Sequence, residues 1–261
     1  MGSLSPGAFQ AAATGAILAV LDTLAGTAAP HPVRVWNFIP DIHRPMRPGI
    51  DRYRLFNAAR FQAFAQWFGA ADAPTPATFG AALPAASGVG HDADELSIHA
   101  LGAALPGRSV ENPRQTPAFE YSTAHGPHPP CFSRAMIADL ASTPHNPMLL
   151  VSGTASIRGE DSTHDGRLSA QFDETIANLE QLVRNIRGPY AFCLSGVETA
   201  RVYHSRITDR AWLEHTVRSR LPRSASIDLV PVALCRRELL VEIEATIRPT
   251  PANACGRACK A

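Results

Sequence analysis

The order helix–strand–helix–strand–strand occurs twice in this chain, and no other feature of the sequence restricts the fold as much. In the first copy, Phe9–Leu24 reads as a helix rich in Ala and Leu, ended by Gly26 and Pro30. Val33–Ile39 has the β-branched and aromatic content of a strand. After a Pro/Arg-rich loop at 41–49, Asp51–Phe68 carries apolar residues at Leu55, Phe56, Ala59, Phe61, Phe64, Trp67 and Phe68, a helical stripe opened by an Asp cap. A second loop follows at 74–82, and Leu83–Gly90 and Glu95–Ala103 read as a short strand pair. In the second copy Ser169–Ile186 and Asp209–Arg220 are helices, while Ala200–Arg206, Ile227–Cys235 and Glu238–Ile247 are strands. The closing segments match by position type, Glu95–Ala100 against Glu238–Ile243, which aligns His99 with Glu242.

The copies are unequal. Two strand-like segments, Pro130–Ile137 and Met148–Ile157, stand before the second copy, whereas only Met1–Ala8 stands before the first. The fold class that follows is α/β (α+β): two units of mixed sheet plus helices, incomplete over residues 1–106 and complete over 107–248. The tail 249–261 reads as disordered. A sheet without its first strands presents an unpaired edge, which either another chain fills or an N-terminal shortening leaves behind. Oligomerisation is therefore left open.

Composition narrows the function. With 45% hydrophobic and 18% charged residues and a formal net charge of +1, the chain has a globular make-up. It contains almost no Lys, and its Arg residues are scattered, which argues against nucleic acid and suits individual carboxylate contacts. The apolar stretch Ala11–Leu21 is too short to span a bilayer and lacks a basic flank, so neither a membrane nor a secretory signal is expected. Five Cys (131, 193, 235, 255, 259) at irregular spacing suit a reducing, cytoplasmic setting better than disulfides or zinc. His91, His99, His125 and His128 form no metal-ligand motif, and GxGxxG, GxxxxGKS, HExxH and Gly-x-Ser-x-Gly patterns are missing. No cofactor is implied.

The second unit resembles the Rid (reactive intermediate deaminase) fold, also described as chorismate mutase-like. It does so through PCFSRA at Pro130–Ala135, LLVSG at Leu149–Gly153, ANL at Ala177–Leu179 and VEIEA at Val241–Ala245. The chain as a whole is similar to the chorismatases, which carry two such units. The resemblance runs from about Arg34 to Ala245 through RVWNFIPDI, DRYRLFNAARFQAF, SGVGHDADELSIHALGA, RSVENPRQTPAFEY, GPHPPCFSRA, VSGTASIRGEDS and LCRRELLVEIEA. Three departures stand out: a first half-unit is absent, and Phe119 and His125 occupy places where the family often has Tyr. The resemblance implies cleavage of chorismate into pyruvate and 3-hydroxybenzoate, with 4-hydroxybenzoate also formed by some members.

Releasing pyruvate begins with protonation of the enol ether's methylene carbon, which needs an acid that keeps its proton near neutrality. Alternation in Leu240–Glu244 puts Glu242 and Glu244 on one face. From the residues alone, two solvent-facing carboxylates are the simpler reading; the resemblance selects Glu242 as the acid and places the chemistry in the second unit. The substrate's two carboxylates call for Arg. Arg134 in the FSRA string is the first candidate and Arg206 on the VYHSR strand the second. Arg54 and Arg60 could reach across from the first unit, although surface or inter-domain charge accounts for both, and Tyr121 serves as a hydrogen-bond donor or a core residue. Cys235, expected on the strand before Glu242, and Gly153 stand where the resemblance separates aromatising members from dihydrodiol-forming hydrolases, which carry Ala at both places. Both positions match the aromatising type.

Three alternatives stay open. One is the chorismatase hydrolase that yields 3,4-dihydroxycyclohexa-1,5-diene carboxylate. A second is a Rid-type imine or enamine deaminase, disfavoured because its carboxylate-binding Arg would fall in Ile227–Val230, where none occurs. The third is an inactive ligand-binding fragment.

Overall fold

The computed structural model describes residues 4–69, 82–140 and 147–250. The N-terminal unit runs α1 (Pro6–Ala25), β1 (His31–Pro40), α2 (Arg52–Trp67), β2 (Ala85–His91) and β3 (Ser97–Ala103). The C-terminal unit runs β4 (Arg108–Val110), β5 (Ala135–Asp139), β6 (Pro147–Ala155), α3 (Leu168–Arg184), β7 (Val197–His204), α4 (Arg210–Arg220), β8 (Ser226–Pro231) and β9 (Val241–Ile247). Most of the 74–82 loop, together with Cys255 and Cys259, lies outside the described residues. Of the 249–261 tail, Thr250 is described and bridges to Ala191.

The repeat is written into the strand pairing. In the first sheet β1 pairs parallel with β2 and antiparallel with β3; in the second β7 pairs parallel with β8 and antiparallel with β9. A bulge interrupts each antiparallel ladder near its start, between Pro32 and Arg34 and between Val197 and Thr199. Two sequence expectations change here. Segments 83–90 and 95–103 do not pair with each other, because β1 lies between them in the order β2-β1-β3. Anchoring on the bulges sets Phe38↔Ser97 against Tyr203↔Glu242, so Ser97 is the counterpart of Glu242, and His99 that of Glu244.

The second sheet continues past β9 through β6, β5 and β4, giving the order β8-β7-β9-β6-β5-β4. Among the described residues, β3 has no such neighbour and leaves one edge of the three-stranded sheet unpaired. Helix α3 buries Phe172, Ile176, Leu179, Leu182 and Val183 against Val151, Val202 and Ile243 of this sheet. The spacing of those residues is the helical stripe that specifies such packing.

In the N-terminal unit, Ser5 caps α1 and Asp51 caps α2, the Asp51 carboxylate accepting from Arg54 N at 2.9 Å. At 20 residues α1 is longer than its central apolar stretch, and by length and composition alone it suffices to cross a membrane. Here its Phe9, Ala13, Ile17 and Leu21 stripe packs in a core with Phe56, Ala59, Ala63 and Phe64 of α2. The units meet along a seam of Val33, Ala85 and Ala103 against Met136, Ala138 and Leu150. Across it Ala86 N donates to Ser152 Oγ at 2.8 Å, and Gly90 N to Ala233 O at 2.7 Å. At Gly90 a Cβ would come within 3.0 Å of both Ala233 and Ile42, so glycine permits this approach.

Candidate active site

Strand β9 turns Val241 and Ile243 into the core of its own unit and Glu242 and Glu244 towards the N-terminal unit. Because the first sheet covers that face, both carboxyls are buried rather than solvated, Glu242 to 4% exposure. Glu242 opens on a cavity of about 580 Å³ between the two units. Burial pushes its carboxyl up to about 8; the neighbouring Glu244 adds to the shift and Arg34 opposes it. At neutral pH Glu242 is therefore a neutral acid, with the Cys235 Sγ 3.9 Å from its Oε2. The thiol is itself pushed up to about 12 by burial, so it stays protonated.

Two guanidiniums face the same cavity. Arg60, from α2, is 3% exposed and donates to Asn57 Oδ1 at 3.0 Å. Arg134, from the segment leading into β5, is 4% exposed and donates through Nη2 to Thr116 O at 2.7 Å and Tyr121 Oη at 2.8 Å. Both lie over the ring of Phe132, at 5.5 and 5.3 Å from its centroid. Neither forms an ion pair with a carboxylate among the described residues, and each has a buried Nε without a partner there. Leaving a buried cation unpaired costs several kcal/mol, and an anionic ligand would offset that cost.

The structure brings together Glu242, Arg134, Tyr121, Gly153, Cys235 and Arg54, all of which line the cavity. Tyr121 meets the cavity as the acceptor of the Arg134 hydrogen bond. Arg54 sits at the rim, donating to Gly49 O at 2.6 Å. Arg206 is a correction: β7 ends at His204, and Arg206 is exposed on the turn before α4, outside the cavity. Cys235 is on no strand. Strand β8 stops at Pro231, whose ring removes a donor, and the chain then crosses to bond Gly90, carrying Cys235 on the loop that leads to β9. Nor does the site belong to the second unit alone, since Tyr53, Asn57, Arg60, Ser87 and Gly88 of the first unit line it. Arg60, read from the sequence as surface or inter-domain charge, is instead buried, as its place four residues from both Phe56 and Phe64 on the buried face of α2 signals.

The inter-unit cavity of this two-unit fold sets one neutral carboxyl against two buried guanidiniums. The profile described as "Chorismatase FkbO/Hyg5-like, N-terminal" matches residues 3–102. A chorismatase from Streptomyces rapamycinicus is 30% identical over 92% of this chain and 71% of its own length. A 3-hydroxybenzoate synthase from Streptomyces hygroscopicus is 31% identical over 82% of this chain and 62% of its own. A crystal structure of a chorismatase superimposes with a TM-score of 0.77 at 27% identity, covering 90% of this chain and 70% of that one. The chain belongs to the chorismatase family, and it spans 71% and 62% of the length of these two curated relatives.

Proposed function

We propose that this protein cleaves chorismate into pyruvate and 3-hydroxybenzoate. The observation that carries the reading is the joint presence, in one cavity, of a protonated Glu242 and two buried guanidiniums without carboxylate partners. A dianion with one vinyl ether to protonate is the ligand this arrangement complements. Arg60 and Arg134 would each take one substrate carboxylate, their planar forks suiting bidentate contact. Glu242 would then give its proton to the methylene carbon of the enolpyruvyl group. The ring hydroxyl beside the ether closes onto the ether-bearing carbon, breaks the C–O bond and releases pyruvate, and its own proton returns to the carboxylate.

The resulting epoxide opens and aromatises: its oxygen takes a proton from the neutral Cys235 thiol, which lies 3.9 Å from Glu242 Oε2, and the proton lost from the oxygen-bearing ring carbon restores the thiol. No water is consumed in this sequence. Gly153 supports the role of Glu242 for a steric reason. A Cβ there would overlap Glu242 Oε1 and come 2.7 Å from its Cδ, so a larger residue would move the acid. Cys131 is a buried free thiol, which suits the reducing cytoplasm proposed as its setting.

Incubating the protein with chorismate and following pyruvate with a coupled dehydrogenase tests the reaction, and chromatography identifies the ring product. Absence of pyruvate release would overturn the proposal, and a dihydrodiol in place of the aromatic acid would overturn the product.

A further inference from the structure

Glu244 takes no part in the proton transfer described above, yet five donors converge on it. Its Oε2 accepts from Arg34 Nη2 at 2.7 Å, Ser87 Oγ at 2.6 Å and Tyr203 Oη at 3.1 Å. Its Oε1 accepts from Trp36 Nε1 at 2.9 Å and Arg201 Nη1 at 3.2 Å. Five donors on two oxygens is a carboxylate's pattern, because an acid would have to donate from one of them. Arg34, Trp36 and Ser87 belong to the N-terminal unit, so that unit fixes a charge on the catalytic strand of the other. Glu244 follows Glu242 on the same face, about 7 Å along the strand. Ser87 Oγ also accepts from Gly153 N at 3.0 Å, which ties the network to the backbone that borders Glu242.

We infer that Glu244 is a positioning residue for the reaction, a carboxylate fixed by the N-terminal unit whose negative charge keeps the proton on Glu242. It acts in two ways. Its field opposes a second negative charge nearby, and its pairing with Arg34 stops that guanidinium from taking Glu242 as a counter-ion. The other groups that bear on Glu242 are Tyr203 of β7, Tyr53 of α2 and Cys235 of the loop before β9, and the guanidiniums of Arg60, Arg134 and Arg236 line the same cavity. Burial keeps both phenols and the thiol neutral. Burial is the largest cause of Glu242 keeping its proton, and Glu244 and Arg34 are the two charges that act on it in opposite directions. The inference rests on Glu242 being the acid.

The test is a titration of the ligand-free protein with 13C-labelled Glu carboxyls, read by infrared spectroscopy. Subtracting the Glu242→Gln spectrum isolates Glu242 from Glu111, a second buried carboxyl with a raised midpoint. The wild-type midpoint should lie near 8. Glu244→Gln keeps the shape and removes the charge, and should lower the midpoint by one pH unit or more. The alkaline limb of pyruvate release should move with it, a roughly fivefold loss of rate at pH 8 for the first unit. Arg34→Met should move the midpoint the other way. It leaves four donors on Glu244 and serves if Glu244→Gln does not fold.

Opposite shifts from the two variants are what a packing role cannot produce. Midpoints that stay put, or that move in the same direction, would overturn the inference. Because the titration needs no substrate, it stands apart from the fate of the chorismate assay. A wild-type midpoint near that of a free carboxyl would remove both Glu244's role and Glu242's.

Discussion

Replacing Glu242 with Gln should produce a protein that is inactive and, in alkaline solution, more stable than wild type. The loss of activity follows from removing the donor: general acid catalysis is worth about 10²–10⁴-fold, and Gln keeps the shape without the proton. The gain in stability follows from linkage. In the folded protein Glu242 holds its proton until about pH 8, whereas an unfolded chain releases it near 4.3. Between those values the folded state binds the extra proton, so each rise in pH weakens it, by roughly 1.4 kcal/mol per pH unit. Below about pH 4 the carboxyl is protonated in both states and the wild type carries no such penalty; above about 8 the penalty is at its full size. Gln does not titrate, so the variant escapes it. From pH 5.5 to 7.5 the stability difference should swing by about 3 kcal/mol in the variant's favour, or about 5–10 °C in Tm for a chain of this size. Glu111 shifts with the same sign in both proteins and cancels. Paired thermal melts across that range, with pyruvate release measured in parallel, make the comparison. A variant retaining more than half the wild-type turnover, or a Tm difference that ignores pH, would refute the assignment of Glu242 as a buried neutral acid.

Arg134→Ala should weaken chorismate binding by about 2–5 kcal/mol in calorimetry, because a buried carboxylate loses its charged partner; unchanged affinity would leave Arg60 as the operative clamp. Cys235→Ala should spare pyruvate release and alter the ring product, since protonation precedes the step the thiol assists; an unchanged product on chromatography would reduce Cys235 to a space-filler. Gly153→Ala should lower pyruvate release itself, because the new methyl overlaps the Glu242 carboxyl; full turnover with only the product changed would show that the acid can swing aside at no cost.

The elements that were legible in sequence are those whose signals are local. Asp51 capping a helix with an apolar stripe, and the 3.6-residue periodicity of 169–186, specify α2 and α3 without reference to the rest of the chain. Strand order was not legible. Segments 83–90 and 95–103 are neighbours in sequence, but the pairing that separates them is made by β1, some 50 residues earlier. The two-residue slip in matching His99 to Glu242 has a similar source: type-matching sees side chains, while the true register is set by bulges at Pro32 and Val197. In the site, Glu242 was reached through its family resemblance, because alternation alone describes a half-exposed strand. What buries it is the other unit's sheet. No local signal marks Arg34 or Ser87 for the same reason, since each acquires its role only when Glu244 arrives from 210 and 157 residues away.

Arg60 and Arg134 come from different units, so the gap between the two cationic walls is not fixed by either unit's own fold. It is set by how closely the sheets approach along the seam, where half the residues are alanines: Ala85, Ala103 and Ala138. The seam thus works as a spacer gauge. A methylene added there would lengthen the distance a ligand must bridge between its two charged ends without altering a single group that touches it. Ligand size in this architecture is therefore a property that buried, chemically silent positions can tune.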